Sequence, residues 1–133
     1  MIVAVALSPT PAGQAALDLA LRESALREAE LVVINIVDTA EHAEDAAARE
    51  RVSADLAERV ARVEGAKGVT TRIATEATRG DIAEAILGLA TSEQADLLVI
   101  GSRRRSPVGK LIMGSTVQRV LLDAPMPVLV TKG

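Results

Sequence analysis

The chain has 133 residues, a formal net charge of −3, and no cysteine, phenylalanine, tyrosine or tryptophan. This length suits one domain, 1–133, able to bury about two thirds of its unfolded surface; the acid-leaning charge argues against a broad nucleic-acid face, and without aromatic rings there is no platform on which single-stranded bases stack. Hydrophobic residues make up 49% and charged residues 25%, a globular balance, and no apolar stretch approaches the roughly 20 residues that span a bilayer.

The opening MIVAVALSP lacks the basic n-region and cleavage site of a signal peptide and reads as a first strand, Ile2 to Leu7. With no export signal, the expected compartment is the cytoplasm. Pro9 and Pro11 then precede a helix with an apolar stripe of Leu17, Ala20, Leu21 and Ala25. Leu31 to Val37 is continuously apolar, as in a strand covered on both faces. A charge-rich helix over 42–64 follows, with its stripe on Val52, Leu56, Val60 and Val63. Val69 to Thr75 alternates apolar with polar residues, the pattern of an edge strand. Ile82, Ile86 and Ala90 mark a third helix, Leu97 to Ile100 a second continuously apolar strand, and Val128 to Thr131 a last one. Strands alternating with helices imply βαβ units, and right-handed crossovers lead to an open doubly wound parallel sheet with helices on both faces.

The most informative stretch is LLVIGSRRRSPVGKLIMGSTVQRVLLDAPMPVLVTKG, residues 97–133. Gly101 follows the apolar run, where a chain leaving a strand needs positive φ or a close backbone approach. Arg103, Arg104 and Arg105 form a basic loop, and Gly114, Ser115 and Thr116 open a helix with the apolar face Val117, Val120, Leu121 and Ala124, ended by Pro125. Ser115 or Thr116 supplies an N-cap, and the free amides of that first turn favour an anion. A Walker loop ending at Gly109 and Lys110 would need Gly at Arg104 and Ser or Thr at Leu111, and no GxGxxG follows the first strand.

This segment resembles the carboxy-terminal signature of the universal stress protein family: a Gly, two residues, a Gly, nine residues, then Gly followed by Ser or Thr. Gly101, Gly114 and Ser115 fall on that pattern, and Arg104 occupies the second glycine position. RGDIAEAI at 79–86, EQADLLVIG, APMPVLV and the opening strand ending in SPT extend the resemblance over the chain. It implies strand order 3-2-1-4-5, with a ligand crevice at the carboxyl ends of strands 1 and 4. In ATP-binding members an acidic residue ends the first strand, a residue late in the second meets adenine through its backbone, and the glycine signature wraps ribose and phosphates. Carried over, these positions are Ala6, Ile36, and Gly101, Gly114 and Ser115. The candidate ligand residues are therefore Ser8, Ile36, Gly101, Ser102, Arg103, Arg104, Arg105, Gly114, Ser115 and Thr116. With Ala6 and Arg104 in place, the usual ATP contacts are weakened, while the three arginines add donors suited to phosphate.

Catalysis has little to build on. His42 is the one histidine, Ser106 and Lys110 read as a turn residue and an exposed cation, and Asp96 starts a strand at the end of the sheet away from the crevice. No metal-ligand spacing is present. The leading reading is a non-enzymatic stress-response module that needs no cofactor and takes ATP, AMP or a phosphate anion. A nucleotide-independent dimeric adaptor and a slow ATP hydrolase stay open beside it. The resemblance also implies a homodimer formed through the last strand, Val128, Leu129, Val130 and Thr131.

Overall fold

A computed structural model describes residues 1–8, 10–38, 46–102 and 113–132. In chain order they form β1 (Ile2–Ala6), α1 (Pro11–Arg27), β2 (Glu30–Asp38), α2 (Ala46–Arg62), a 3-10 turn (Ala66–Gly68), β3 (Thr71–Thr78), α3 (Ile82–Ser92), β4 (Leu97–Ser102), α4 (Ser115–Asp123) and β5 (Val128–Lys132). The five strands make one sheet in the order β3-β2-β1-β4-β5, and every adjacent pair is parallel. The sheet is doubly wound, as expected, with β3 and β5 at its edges.

The period-two alternation of each strand sorts the core into two layers. Val3, Val5, Leu31, Val33, Leu97 and Val99 pack with Ala16, Leu17 and Leu21 of α1 and Leu56 of α2. Ala4, Ala6, Val32, Ile34, Leu98 and Ile100 face the other way, onto Ala83, Ile86 and Ala90 of α3 and Val117 and Val120 of α4. Leu31, Val32, Val33 and Ile34 are fully buried, which is why β2 reads as an unbroken apolar run.

Thr10 starts α1, its hydroxyl accepting from the Gly13 amide at 3.1 Å, with Pro11 in the first turn. Glu28 ends that helix in the left-handed region at φ 53°, and the Ala29 amide returns to Ser24 O. At the amino end of the sheet, the Ile2 amide donates to Asp96 Oδ2 and the Asp96 amide donates to Ile2 O, both at 2.8 Å. Asp96 thus clips β1 to the start of β4, the structural duty its position suggested.

Several boundaries differ from the sequence reading. The 3-10 turn claims Val69, whose amide bonds Ala66 O, so β3 starts at Thr71; it runs on to Thr78 because β2 offers a partner as far as Asp38. β4 continues through Gly101 and Ser102, paired with Thr131 and Lys132 of β5. β1 stops at Ala6, although the Leu7 amide still reaches Ile34 O at 3.0 Å. The second helix is described from Ala46 and ends at Arg62; residues 42–45 of its expected span, His42 included, lie outside the described residues. Leu121, placed on the buried face of the last helix, is 40% exposed, because Val117 and Val120 alone point squarely at the sheet.

Candidate ligand crevice at the carboxyl ends of β1 and β4

The direction of winding reverses between β1 and β4, the position at which sheets of this class form a ligand crevice. The α1 side of this crevice is tightly built. A Cβ added at Gly101 would overlap the carbonyl of Ala12, so glycine is required there by the close approach of α1 to β4 and not by positive φ. A Cβ at Gly13 would likewise strike the hydroxyl and carbonyl of Ser8. The Ser8 hydroxyl lies 2.7 Å from that of Thr10, within the turn that starts α1. Ser8 and Gly101 therefore both have structural duties at the start of α1.

Among the described residues, the α4 side is less crowded. Gly114, and not Ser115 or Thr116, occupies the N-cap position of α4; it makes no side-chain cap and leaves Ser115 as the first helical residue. Its φ of −65° is ordinary, and a Cβ added there would meet nothing within 4 Å. Neither backbone strain nor packing among the described residues calls for glycine here. The first turn of α4 carries no acidic residue, so nothing within that turn offsets the positive end made by its amide N–H groups. Gln118 folds back to donate from Nε2 to Met113 O at 3.2 Å, holding the chain that leads into the helix.

Ser102 is the last residue of β4. Alternation along β4 turns its side chain to the same face as Leu98 and Ile100, the face that α4 covers. Ser102 is only 1% exposed, and among the described residues its hydroxyl has no hydrogen-bond partner. A buried hydroxyl without a partner is disfavoured by the desolvation it suffers, and such groups call for an explanation. Ile36 packs against the same core layer as Ala6, which is 7% exposed, so the floor of the crevice on this side is aliphatic.

An ion pair bridges the two helices of this face. Asp81, the N-cap of α3, accepts from the Glu84 amide at 3.0 Å and from Arg119 Nη1 of α4 at 2.6 Å. The Arg119 guanidinium, followed by the Glu84 amide, holds the Asp81 carboxyl below the usual aspartate range, and Asp81 raises Arg119 in return. Sequence reading quoted Asp81 only as part of RGDIAEAI and passed over Arg119. The available signal was the spacing of Ser115 and Arg119, one helical turn apart on one face.

Of the residues singled out from sequence, Ser102, Ile36, Gly114, Ser115 and Thr116 belong to the α4 side, and Ser8 and Gly101 to the α1 side. Arg103, Arg104 and Arg105 lie outside the described residues. Among the described residues no three His, Cys, Asp or Glu side chains gather as a metal site, and no helix is long and apolar enough to cross a membrane. A separate groove of about 510 Å³, lined by Leu56, Val60 and Ile73 among others, lies between α2 and β3 on the opposite face and edge of the sheet.

Residues 1–132 match the model of the universal stress protein family. The chain belongs to that family. A universal stress protein of Mycolicibacterium smegmatis is 36% identical over 131 residues, covering 98% of this chain and 97% of that one. Among solved structures, a universal stress protein from Archaeoglobus fulgidus aligns with a TM-score of 0.76 at 25% identity, over 99% of this chain and 98% of that one. A universal stress protein from Archaeoglobus fulgidus solved in complex with dAMP aligns with a TM-score of 0.70 at 19% identity, over 99% of this chain and 98% of that one; at that identity the likeness speaks for the fold alone.

Proposed function

We propose that this universal stress protein is a cytoplasmic, single-domain, non-enzymatic module that binds an adenine mononucleotide through its phosphate at the first turn of α4. The observation that carries this reading is the start of α4, which has neither a side-chain cap nor an acid in its first turn; the Ser102 hydroxyl, on the face of the sheet that α4 covers, is buried and has no hydrogen-bond partner among the described residues. A phosphate placed there gives Ser102 an acceptor and the free amides a counter-charge. The space at Gly114 admits the close approach. A relative of the same fold was solved with dAMP, a ligand of this chemical class. Aliphatic Ala6 and Ile36 suit a base wedged between apolar side chains, while the absence of an acid at Ala6 leaves ribose hydroxyls without a strong acceptor and weakens nucleoside recognition. Arg103, Arg104 and Arg105 belong to the proposal as further phosphate donors, and Ser8 and Gly101 as supports of the crevice wall.

Thermal unfolding followed by circular dichroism, with and without millimolar AMP, ATP and inorganic phosphate, tests this reading. A ligand at 100 times its Kd adds about 2.7 kcal/mol to stability. A larger shift with AMP than with phosphate supports nucleotide reading; no shift with any of the three refutes it.

A second reading has its own observation. β5 is an edge strand, and Val128, Leu129, Val130 and Thr131 are all only partly buried, an apolar edge suited to pairing with a second copy. On this reading the protein is a homodimeric adaptor. Sedimentation at micromolar concentration should give twice the 13.8 kDa chain mass, and a monomer would count against it.

A further inference from the structure

We infer that the outer edge of β3 is a self-pairing surface: a second copy of this chain adds its own β3 there, antiparallel, with Arg72 of each copy opposite Glu76 of the other. This edge lies across the sheet from β5, so the pairing is independent of the phosphate site and of the β5 homodimer proposed above.

Within the sheet β3 pairs with β2 alone. The Leu31 amide donates to Thr70 O, which turns the backbone groups of Arg72, Ala74 and Glu76 toward β2 and those of Thr71, Ile73, Thr75 and Ala77 outward. Among the described residues these outward groups meet no backbone partner. An incoming strand can therefore bond only in registers that set these residues against one another.

Charge chooses among those registers. Arg72 and Glu76 are exposed, stand on one face of the strand, and flank Ala74 symmetrically. When two copies run antiparallel about Ala74, Arg72 faces the partner's Glu76 and Glu76 faces the partner's Arg72. Both contacts fall at non-hydrogen-bonded positions, where side chains come closest. The neighbouring registers put Ala74 or Thr78 opposite Arg72 and lose both pairs. On the other face, toward α2, Ile73 meets the partner's Thr75, and the groove of about 510 Å³ between α2 and β3 borders that contact. Because the same patch meets itself, the pairing closes as a two-fold dimer.

The alternative is that these charges only guard the edge, as charged side chains on edge strands commonly do. Arg72 already holds Glu93 Oε2 at 2.6 Å and Glu30 Oε2 at 3.3 Å on its own chain. Those contacts leave guanidinium N–H groups to spare. Glu76 has no ion pair among the described residues. Guard charges repel every incoming strand, whereas opposite charges placed symmetrically attract their own copy, so exchanging the charges separates the two readings.

The chain has no cysteine, so one introduced thiol reports the contact. Ala74→Cys places two thiols across the two-fold axis at a Cα separation of about 4.5 Å, within disulfide range. In Ala77→Cys, on the same strand and more exposed, the two positions stand about 20 Å apart. In a glutathione redox buffer at high protein concentration, Ala74→Cys should form disulfide dimers at least about tenfold faster than Ala77→Cys. Added to Ala74→Cys, Arg72→Glu and Glu76→Arg should each slow linking about tenfold or more. An equimolar mixture of the two should restore it, as a heterodimer recognised by mass spectrometry. A dimer through β5 brings neither position together and does not enter these rates. Equal linking at 74 and 77 overturns the inference, and so does a mixture that links no faster than its components. Circular dichroism checks the fold of each variant. If Arg72→Glu, which gives up Glu93 and Glu30, does not fold, Glu76→Arg decides alone: linking as fast as in Ala74→Cys overturns the pairing, and slowed linking supports it.

Discussion

Gly101 and Ala12 touch so closely that the Cα hydrogens of the glycine occupy the space a side chain would need, against the carbonyl of the alanine. Because Ala12 lies in the first turn of α1 and Gly101 near the end of β4, this contact sets how near the helix stands to the sheet at the crevice. The two signature glycines consequently answer to different demands. Gly101→Ala should destabilise the fold by about 1–3 kcal/mol, since a backbone carbonyl cannot swing aside. Gly114→Ala, with open space around it, should cost less than about 1 kcal/mol through the poorer N-cap. Chemical denaturation followed by circular dichroism compares the two, and equal losses would refute the distinction.

Ser102→Ala separates stability from binding. Removing a buried hydroxyl that has no partner among the described residues relieves its desolvation, so stability should stay within about 1 kcal/mol of the wild type or rise. Affinity for AMP and phosphate should nevertheless fall by about three- to tenfold. A marked loss of stability in denaturation curves would mean that the hydroxyl is satisfied in solution and that its partner is internal.

Asp81 gives a pH signature with a defined sign. Its folded carboxyl is held below the usual aspartate range by Arg119, so its contribution is fully present above the unfolded value, about 3.9, and is lost as pH falls through the lower folded value. Asp81→Asn should therefore flatten the acid limb of the stability profile below about pH 4 and change little near neutrality. The exposure of the pair predicts that 1 M salt narrows the difference. Thermal unfolding between pH 2 and 7 checks both statements, and a wild-type profile matching that of the variant would refute them.

Ala6, at the position where the resemblance implies an acid in ATP-binding family members, is buried against aliphatic neighbours. Ala6→Asp alone should lower the unfolding temperature, because an unpaired carboxylate there loses its hydration. Millimolar ATP should recover part of that loss if the new acid meets ribose hydroxyls. Recovery no greater than in the wild type would show that the position does not face the nucleoside.

The sequence made the sheet easy to see where both faces are covered: 31–34 and 97–100 are apolar without interruption because α1 and α2 lie on one side and α3 and α4 on the other. Edges were harder. The start of β3 was misplaced because Val69 suits a strand by propensity while the 3-10 turn at Ala66 claims its amide. Residue preference puts the cap of α4 on Ser115 or Thr116, whereas Gly114 takes the position without any side-chain bond. The Asp81–Arg119 pair joins residues 38 positions apart, and only the side-by-side packing of α3 and α4 brings them together. No local pattern encodes that meeting. Gly101 was legible as a special position, but which contact made it special required the neighbour, Ala12.

The clip between Ile2 and Asp96 has a consequence for the order in which this protein takes shape. Its two ends are 94 residues apart, and β1 stands in the middle of the sheet, between β2 and β4. At a synthesis rate of about 5–20 residues per second, the amino-terminal strand leaves the ribosome several seconds before its second neighbour exists. During that interval β2 can cover one edge of Val3–Ala6 and the other stays unpaired, a hydrophobic edge open to wrong partners. Docking of β4 and formation of the Asp96 clip end that exposure. Substitutions that weaken β4 should therefore show first as aggregation of nascent chains, before any loss of stability in the finished protein.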